Sequence, residues 1–403
     1  MTNLSIQAPI QPSELDPYRP AALADPYPVY ARLREQGPVV FVPGRDIWLV
    51  PGYTEVVKVL RSHDDFVSGD GVTYAAATLR TERYPLIESD PPDHNRIRRS
   101  LQPAFMKDPI EALRPEIEAA AARIAAEVAG LGEFDAVQVV AQPMPDRAMQ
   151  LLTGLTPPSR QTLAEWSDAV SRAEEPAGTP HHFELLTEAL NWLVAEGIAA
   201  MPAHCLGRLI MSDGGTDGRL DPEGPERLMT LASIWMAGID STGALLGNAI
   251  DAFIEHPDQW ELLRSRPDLI PNAVDELLRY EAPFRVFYRH TRAEVDLGGV
   301  TIPAGASVGV LYGSANRDPR QFPEPDRLDI TRENARTHVA FGTGLHLCLG
   351  QPLARLEAAA MLTELTTRVE RFERAGEPVR DPSQTVRKFA ALPVRMIPAK
   401  GAA

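Results

Sequence analysis

The chain has 403 residues, 44% of them hydrophobic, enough to bury a large core as one domain or two. Its formal net charge of -15 argues against nucleic acid as a partner. Cys205 and Cys348 are its two cysteines, far apart in sequence, so there is no disulfide framework and a reducing compartment is indicated.

Met1 to Pro20 is polar and Pro-containing, with no apolar leader segment and nothing long enough to span a bilayer; residues 1–20 are expected to be poorly ordered. Pro26 to Gln36 and Pro109 to Gly130 are amphipathic with helical period, and the β-branched stretches Val39 to Val42 and Ile47 to Val50 predict a short sheet. Glu174 to Pro180 and Ser212 to Pro225, rich in Gly, Pro and charge, read as surface loops. The longest helix is predicted from Pro225-Glu226 to His256, where Pro257 stops it; at 1.5 Å per residue it spans about 45 Å. Its middle reads Ala237-Gly238-Ile239-Asp240-Ser241-Thr242, locally unfavourable for a helix interior. Hydroxyls bonding back to the preceding turn can open or bend a helix there, and a close helix crossing at Gly238 explains the glycine equally well. A further helix is predicted from Pro271 to Glu281, with Glu276 and Arg279 on one face. A second sheet-like patch runs from Val295 to Leu311, with turns at Gly298-Gly299 and Pro303-Ala304-Gly305.

Near the C-terminus, Phe341 to Gly350 reads Phe-Gly-Thr-Gly-Leu-His-Leu-Cys-Leu-Gly and leads into an Ala-rich helical pattern. Glycines at 342 and 344 let the backbone bend and approach something large and flat. Amides of Leu349, Gly350 and the next turn can point at the Cys348 sulfur, where the helix dipole favours a thiolate. Such a thiolate can be the proximal ligand of haem iron. Cys205 beside His204 reads as structural, since two adjacent ligands without others nearby seldom hold a metal.

The spacing of Phe341, Gly344, His346, Cys348 and Gly350 resembles the haem-binding loop of the cytochromes P-450. Further motifs follow the same order: Asp25-Pro26-Tyr27-Pro28, Asp90 to Arg98, the Asp240-Ser241 pair, Glu276-x-x-Arg279 and Arg289. The resemblance covers nearly the whole chain. It implies one mainly α, triangular domain over 1–403 with small β-sheets. Haem b would lie between the long central helix and the helix after Cys348. Cys348 would be the axial metal ligand, with Phe341 packed near the sulfur and Gly342, Gly350 and Ala237 bordering the cofactor. His94, Arg98, Arg289 and His346 would reach the haem propionates. Asp240 and Ser241 would form the acid–alcohol pair that delivers protons, with Thr242 beside them; Ser stands where many members have Thr. Glu276 and Arg279 would be a buried structural pair.

The implied activity is insertion of one oxygen atom from O2 by a haem-thiolate monooxygenase acting as a cytoplasmic monomer. Electrons would come from an acidic ferredoxin-type partner docking on Arg98, Arg99, Lys107 and Arg355. A peroxide-driven enzyme and a non-catalytic haem-thiolate sensor are the alternatives. By family analogy the substrate wall comes from the loop Gly71 to Leu79, the central helix from Ser233 to Gly238 with Ser241, Phe284 to Phe287 and Phe389 to Leu392. The residues expected to form it are Val72, Tyr74, Trp235, Val286, Phe287 and Phe389. Segments Gly313 to Pro319 and Cys348 to Gln351 look like the bacterial branch that demethylates para-substituted benzoates. Asp70, Ala75, Ala232 and Met236 align where that branch binds the carboxylate, which favours a neutral, small aromatic substrate for hydroxylation or O-dealkylation.

Overall fold

The computed structural model describes residues 15–74, 84–173, 180–221 and 225–399. Residues 1–14, most of the predicted loop at 174–180, and positions 75–79 of the predicted wall lie outside them. The described part of the N-terminal stretch is packed against the body of the molecule: Leu15 and Tyr18 are buried, and the Tyr18 hydroxyl bonds to that of Tyr288.

Helices α1 (Pro20–Ala24) and α2 (Tyr27–Gln36) lead into a five-stranded sheet in the order β1-β2-β8-β5-β3. The strands are β1 (Val40–Val42), β2 (Ile47–Val50), β3 (Phe66–Val67), β5 (Val286–Thr291) and β8 (Ser307–Leu311). Parallel pairing of β2 with β8 sets Ile47 opposite Ser307, and antiparallel pairing of β5 with β8 sets Phe287 opposite Val310. Side chains alternate along a strand. Val286 and Tyr288 therefore enter a small core with Tyr18, Leu33 and Leu49, while Phe287 and Arg289 face the other way.

Helix α3 (Tyr53–Arg61) follows β2. Next come α4 (Asp93–Leu101), α5 (Lys107–Ala129), β4 (Glu133–Asp135), α6 (Pro143–Thr153), α7 (Arg160–Ala173) and α8 (Pro180–Trp192). The long central helix is α9 (Glu226–Glu255), with Glu226 in its first turn favouring the dipole, and α10 (Pro257–Ser265) begins directly after the stop. Helix α11 (Ile270–Tyr280) carries the Glu276–Arg279 pair, and α12 (Gln351–Arg368) follows the Cys348 loop. The two-stranded β6 (Val295–Leu297) and β7 (Val300–Ile302), and β10 (Val379–Arg380) with β11 (Phe389–Ala391), are small hairpin-like units. Strands β9 (Val369–Arg374) and β12 (Pro393–Pro398) complete a sheet with β4.

Mid-α9 does not open: helical bonding is continuous, and Ser241 Oγ donates to the Ala237 carbonyl at 3.1 Å. Gly238 is instead a crossing point. A Cβ there would sit 2.2 Å from Met149 Sδ on α6, so any larger residue would require the Met149 side chain to move.

Candidate active site

One face of α9 lines a cavity with Thr230, Ser233, Ile234, Ala237, Gly238, Ser241, Thr242 and Leu245. These positions step by 1 and 3, the spacing of a single helix stripe. The rest of the lining comes from Pro85 to Ile87, from His94 and Arg98 on α4, from Phe284, Phe287 and Arg289, and from the loop Ala340 to Gly350. The empty space among these residues, open solvent included, is about 1560 Å³.

Cys348 lies deep inside but keeps some surface toward the cavity. Burial pushes its thiol up; backbone N–H groups of Gly350 and Gln351 donate to the sulfur and, with the charges of Arg98 and Arg355, pull it back down. The loop is tied by Cys348 N–H to the Phe341 carbonyl at 2.9 Å. Gly342 and Gly344 sit at φ +68° and +73°, as the bend requires, and a Cβ on Gly344 would lie 2.5 Å from the Leu60 carbonyl of α3. A Cβ on Gly350 would be 4.0 Å from the Cys348 sulfur.

Three basic side chains, His94, Arg98 and Arg289, gather around His346. Its ring meets that of His94 edge-on at 4.5 Å, and its Nε2 is 3.1 Å from Ser68 Oγ. Burial, then the charges of Arg289, His94 and Arg98, hold His346 down to about 2, so it is neutral. Arg98 donates to the Leu347 carbonyl at 2.9 Å, and Arg289, 4% exposed, donates to the Tyr288 carbonyl at 2.7 Å. His94 Nε2 is buried with no partner. Among the described residues lining this cavity the only acid is Glu357. One buried and one half-buried guanidinium and an orphaned imidazole nitrogen beside a cavity-facing cysteine fit a haem, whose carboxylates would supply the missing anions.

Of the residues expected to form the substrate wall, Phe287 alone lines the cavity. Trp235 is turned off the α9 stripe and packs on Trp192 and Trp166, with ring centroids 5.5 and 6.1 Å away. Val286 is on the wrong side of the β5 pleat. Val72 is buried, accepting from the Tyr288 amide at 2.8 Å, and Tyr74 packs between Tyr18 and Tyr288. Phe389 lies under the Arg380 guanidinium at 3.5 Å and lines a second cavity. Asp70 is exposed and neither Ala232 nor Met236 lines the cavity, so these positions carry no information about a bound carboxylate; Ala75 lies outside the described residues. Ile234 and Phe284, inside the segments predicted to supply the wall, do line it, as do Thr230 and Tyr312, which lie outside them; continuing the three- and four-residue steps back from Ser241 would have found Thr230.

Asp240 and Ser241 face different spaces. Ser241 and Thr242 line the Cys348 cavity, whereas Asp240 lines the second cavity and accepts from Lys388 Nζ at 3.0 Å. Glu276 and Arg279 are fully buried and paired at 2.7 Å. Cys205 caps a short helix, accepting from the Arg208 amide.

A family model described as Cytochrome P450 matches residues 234–396. The cytochrome P450 monooxygenase PikC of Streptomyces venezuelae is 36% identical over 386 residues, covering 92% of this chain and 91% of that protein. The β-dihydromenaquinone-9 ω-hydroxylase of Mycobacterium tuberculosis is 32% identical over 400 residues, 96% of this chain and 80% of that protein. Among solved structures, cytochrome P450-153 from Novosphingobium aromaticivorans superimposes with a TM-score of 0.86 at 28% identity, covering 96% of this chain and all of that one. With a predominantly helical fold, a cavity that fits haem and relatives of this similarity along nearly its whole length, the chain belongs to the bacterial cytochrome P450 family and is a haem-thiolate monooxygenase.

Proposed function

We propose that the chain oxidises a small, neutral, mostly apolar aromatic molecule by hydroxylation or O-dealkylation, with electrons from an acidic ferredoxin-type protein. One observation carries the substrate reading: the wall formed by Pro85 to Ile87, Ile234, Ala237, Gly238, Phe284 and Phe287 has no charged side chain. Phe284 and Phe287 stack at 4.6 Å and offer an aromatic face. A carboxylate placed against this wall would be desolvated without a partner.

In this reading the Cys348 thiolate would bind the haem iron, and His94, Arg98, Arg289 and His346 would hold the haem carboxylates. When bound, haem would supply the reductive splitting of dioxygen. The chain's own contribution is to seat the substrate, exclude water and bring protons. The Ser241 hydroxyl, parked on the Ala237 carbonyl, can rotate to donate into the cavity, and Asp240 holds the proton supply on the other side of the helix.

The test is a Soret titration of the ferric holoenzyme with 4-methylanisole and with 4-methoxybenzoate, with a reduced carbon monoxide spectrum as the control for thiolate ligation. A high-spin shift driven by the neutral compound and not by the acid is the expected outcome. A stronger shift with the acid overturns the neutral reading; no shift with either, the control passing, places the substrate outside this class.

A further inference from the structure

The second cavity lies across α9 from the first and is lined by Asp146, Asp168, Asp240, Asp381, Lys388 and apolar neighbours that include Gly243 and Phe389. Its empty space, open solvent included, is about 940 Å³, and Asp168 in its lining keeps 34% of its side-chain surface accessible. A lining with this many carboxylates can hold water. Lys388 is already committed, to Asp240 at 3.0 Å and Asp168 at 3.5 Å.

Asp146 is out of place by every local rule. It sits on α6 in a row of buried apolar residues, Met144, Pro145, Ala148, Met149 and Leu152. It is 6% exposed, its carboxyl has no hydrogen bond or ion pair among the described residues, and it lines the cavity. Burial disfavours the ionised carboxylate, so an acid in that position keeps its proton to a higher pH than an exposed one. The groups facing it are Asp240 on α9, Arg160 and Asp168 on α7, Glu357 on α12, and Asp381 and Lys388 on the C-terminal segment. Burial and then Asp240 raise Asp146 to about 7 against the opposing charge of Arg160, and Glu357, raised by burial and then by Asp146, is neutral as well.

We propose that Asp146 supplies protons to Asp240 across the second cavity, acting through Asp240 rather than on the substrate. The proposal rests on the reading above that Asp240 and Ser241 carry protons to the reaction. Monooxygenation turns R–H, O2, two electrons and two protons into R–OH and water, the electrons coming from the ferredoxin-type reductant. In each hand-over the O–H bond of Asp146 breaks, an O–H bond forms on the Asp240 carboxylate, and Asp146 takes a proton back from cavity water. The Lys388 ammonium donates to the Asp240 carboxylate at 3.0 Å.

The experiment compares Asp146→Asn, Asp146→Glu and Asp240→Asn with the parent holoenzyme, using NADH and a surrogate ferredoxin and reductase, in H2O and D2O from pH 6 to 8. For the parent, NADH consumption falls as pH rises through 7, because the proton on Asp146 is lost. Asp146→Asn is expected to be about tenfold slower at pH 6.5, to lose that pH step and to show a changed solvent isotope effect, with Asp146→Glu restoring all three. Melting curves give a readout independent of turnover. Asp146→Asn should melt higher than the parent by a margin that grows from pH 4 to 7 and then levels off, since a folded-state value above the unfolded one costs stability as pH rises. A parent-like pH profile for Asp146→Asn, with Asp240→Asn impaired, overturns this proposal and leaves the reading of Asp240 standing. If Asp240→Asn is also parent-like, that reading falls and this one with it.

Discussion

Glu276 and Arg279 show how far a residue-level reading reaches. The Glu-x-x-Arg spacing announces an i,i+3 pair, and on an exposed helix such a pair contributes only a few tenths of a kcal/mol. Here both side chains have no exposure, and the pair is the centre of a larger net. Arg279 also donates to the carbonyls of Asn316, Pro325 and Arg327, and Glu276 accepts from Arg332 and from the Asp329 amide. These partners lie tens of residues away in sequence, so spacing could not reveal them. Removing one member strands the rest as buried, uncompensated charge. Glu276→Gln should therefore lower the free energy of unfolding by about 3–5 kcal/mol, read from urea denaturation. A loss below 1 kcal/mol would mean that the net is solvated in a way its burial denies.

At the scale of elements, the sequence was most legible where chemistry is local and least where it depends on orientation. The Cys348 loop was recognisable because glycines, cysteine and the start of α12 lie within ten residues. The boundaries of α9 followed from Pro225 and Pro257. Which side chains face the cavity did not follow from residue type. Trp235 and Val286 are large and apolar, but one is rotated off the α9 stripe and the other lies on the opposite side of the β5 pleat from Phe287. The Cys348 loop offers a test of how tightly it is seated. Gly342 and Gly344 both have positive φ, so alanine at either costs about 1–3 kcal/mol in strain. A Cβ at Gly342 meets nothing closer than 3.8 Å, whereas at Gly344 it meets backbone of α3 at 2.5 Å. Gly344→Ala should consequently melt lower than Gly342→Ala and retain less haem on gel filtration. Equal behaviour of the two would show that α3 yields and that the clash carries no weight.

For the molecule as a whole, the surplus of acid over base makes any exposed basic patch a place where a negatively charged partner is tolerated. The sequence offered Arg98, Arg99, Lys107 and Arg355, and the structure halves that set. Arg98 turns inward to the Leu347 carbonyl and the Cys348 cavity. Arg355 bonds to Asp275 at 2.9 Å and covers the Phe341 ring at 4.6 Å, which makes it part of the loop's support. Arg99 and Lys107 remain exposed, one at the end of α4 and one at the start of α5, flanking Met106, which is 59% exposed. Arg99 directly follows Arg98, whose guanidinium touches the Cys348 loop. Charges at such a rim act mainly on the encounter rate, and salt screens them over a Debye length of about 8–10 Å. Arg99→Glu with Lys107→Glu should slow reduction of the ferric enzyme by an acidic ferredoxin about three- to tenfold at low ionic strength, the gap closing by 0.5 M salt. Arg355→Glu should act differently, lowering stability at every salt concentration because Asp275 loses its guanidinium partner and faces a like charge. Stopped-flow reduction against salt separates the two, and an unchanged rate for the double variant at low salt would remove this face from consideration as the docking surface.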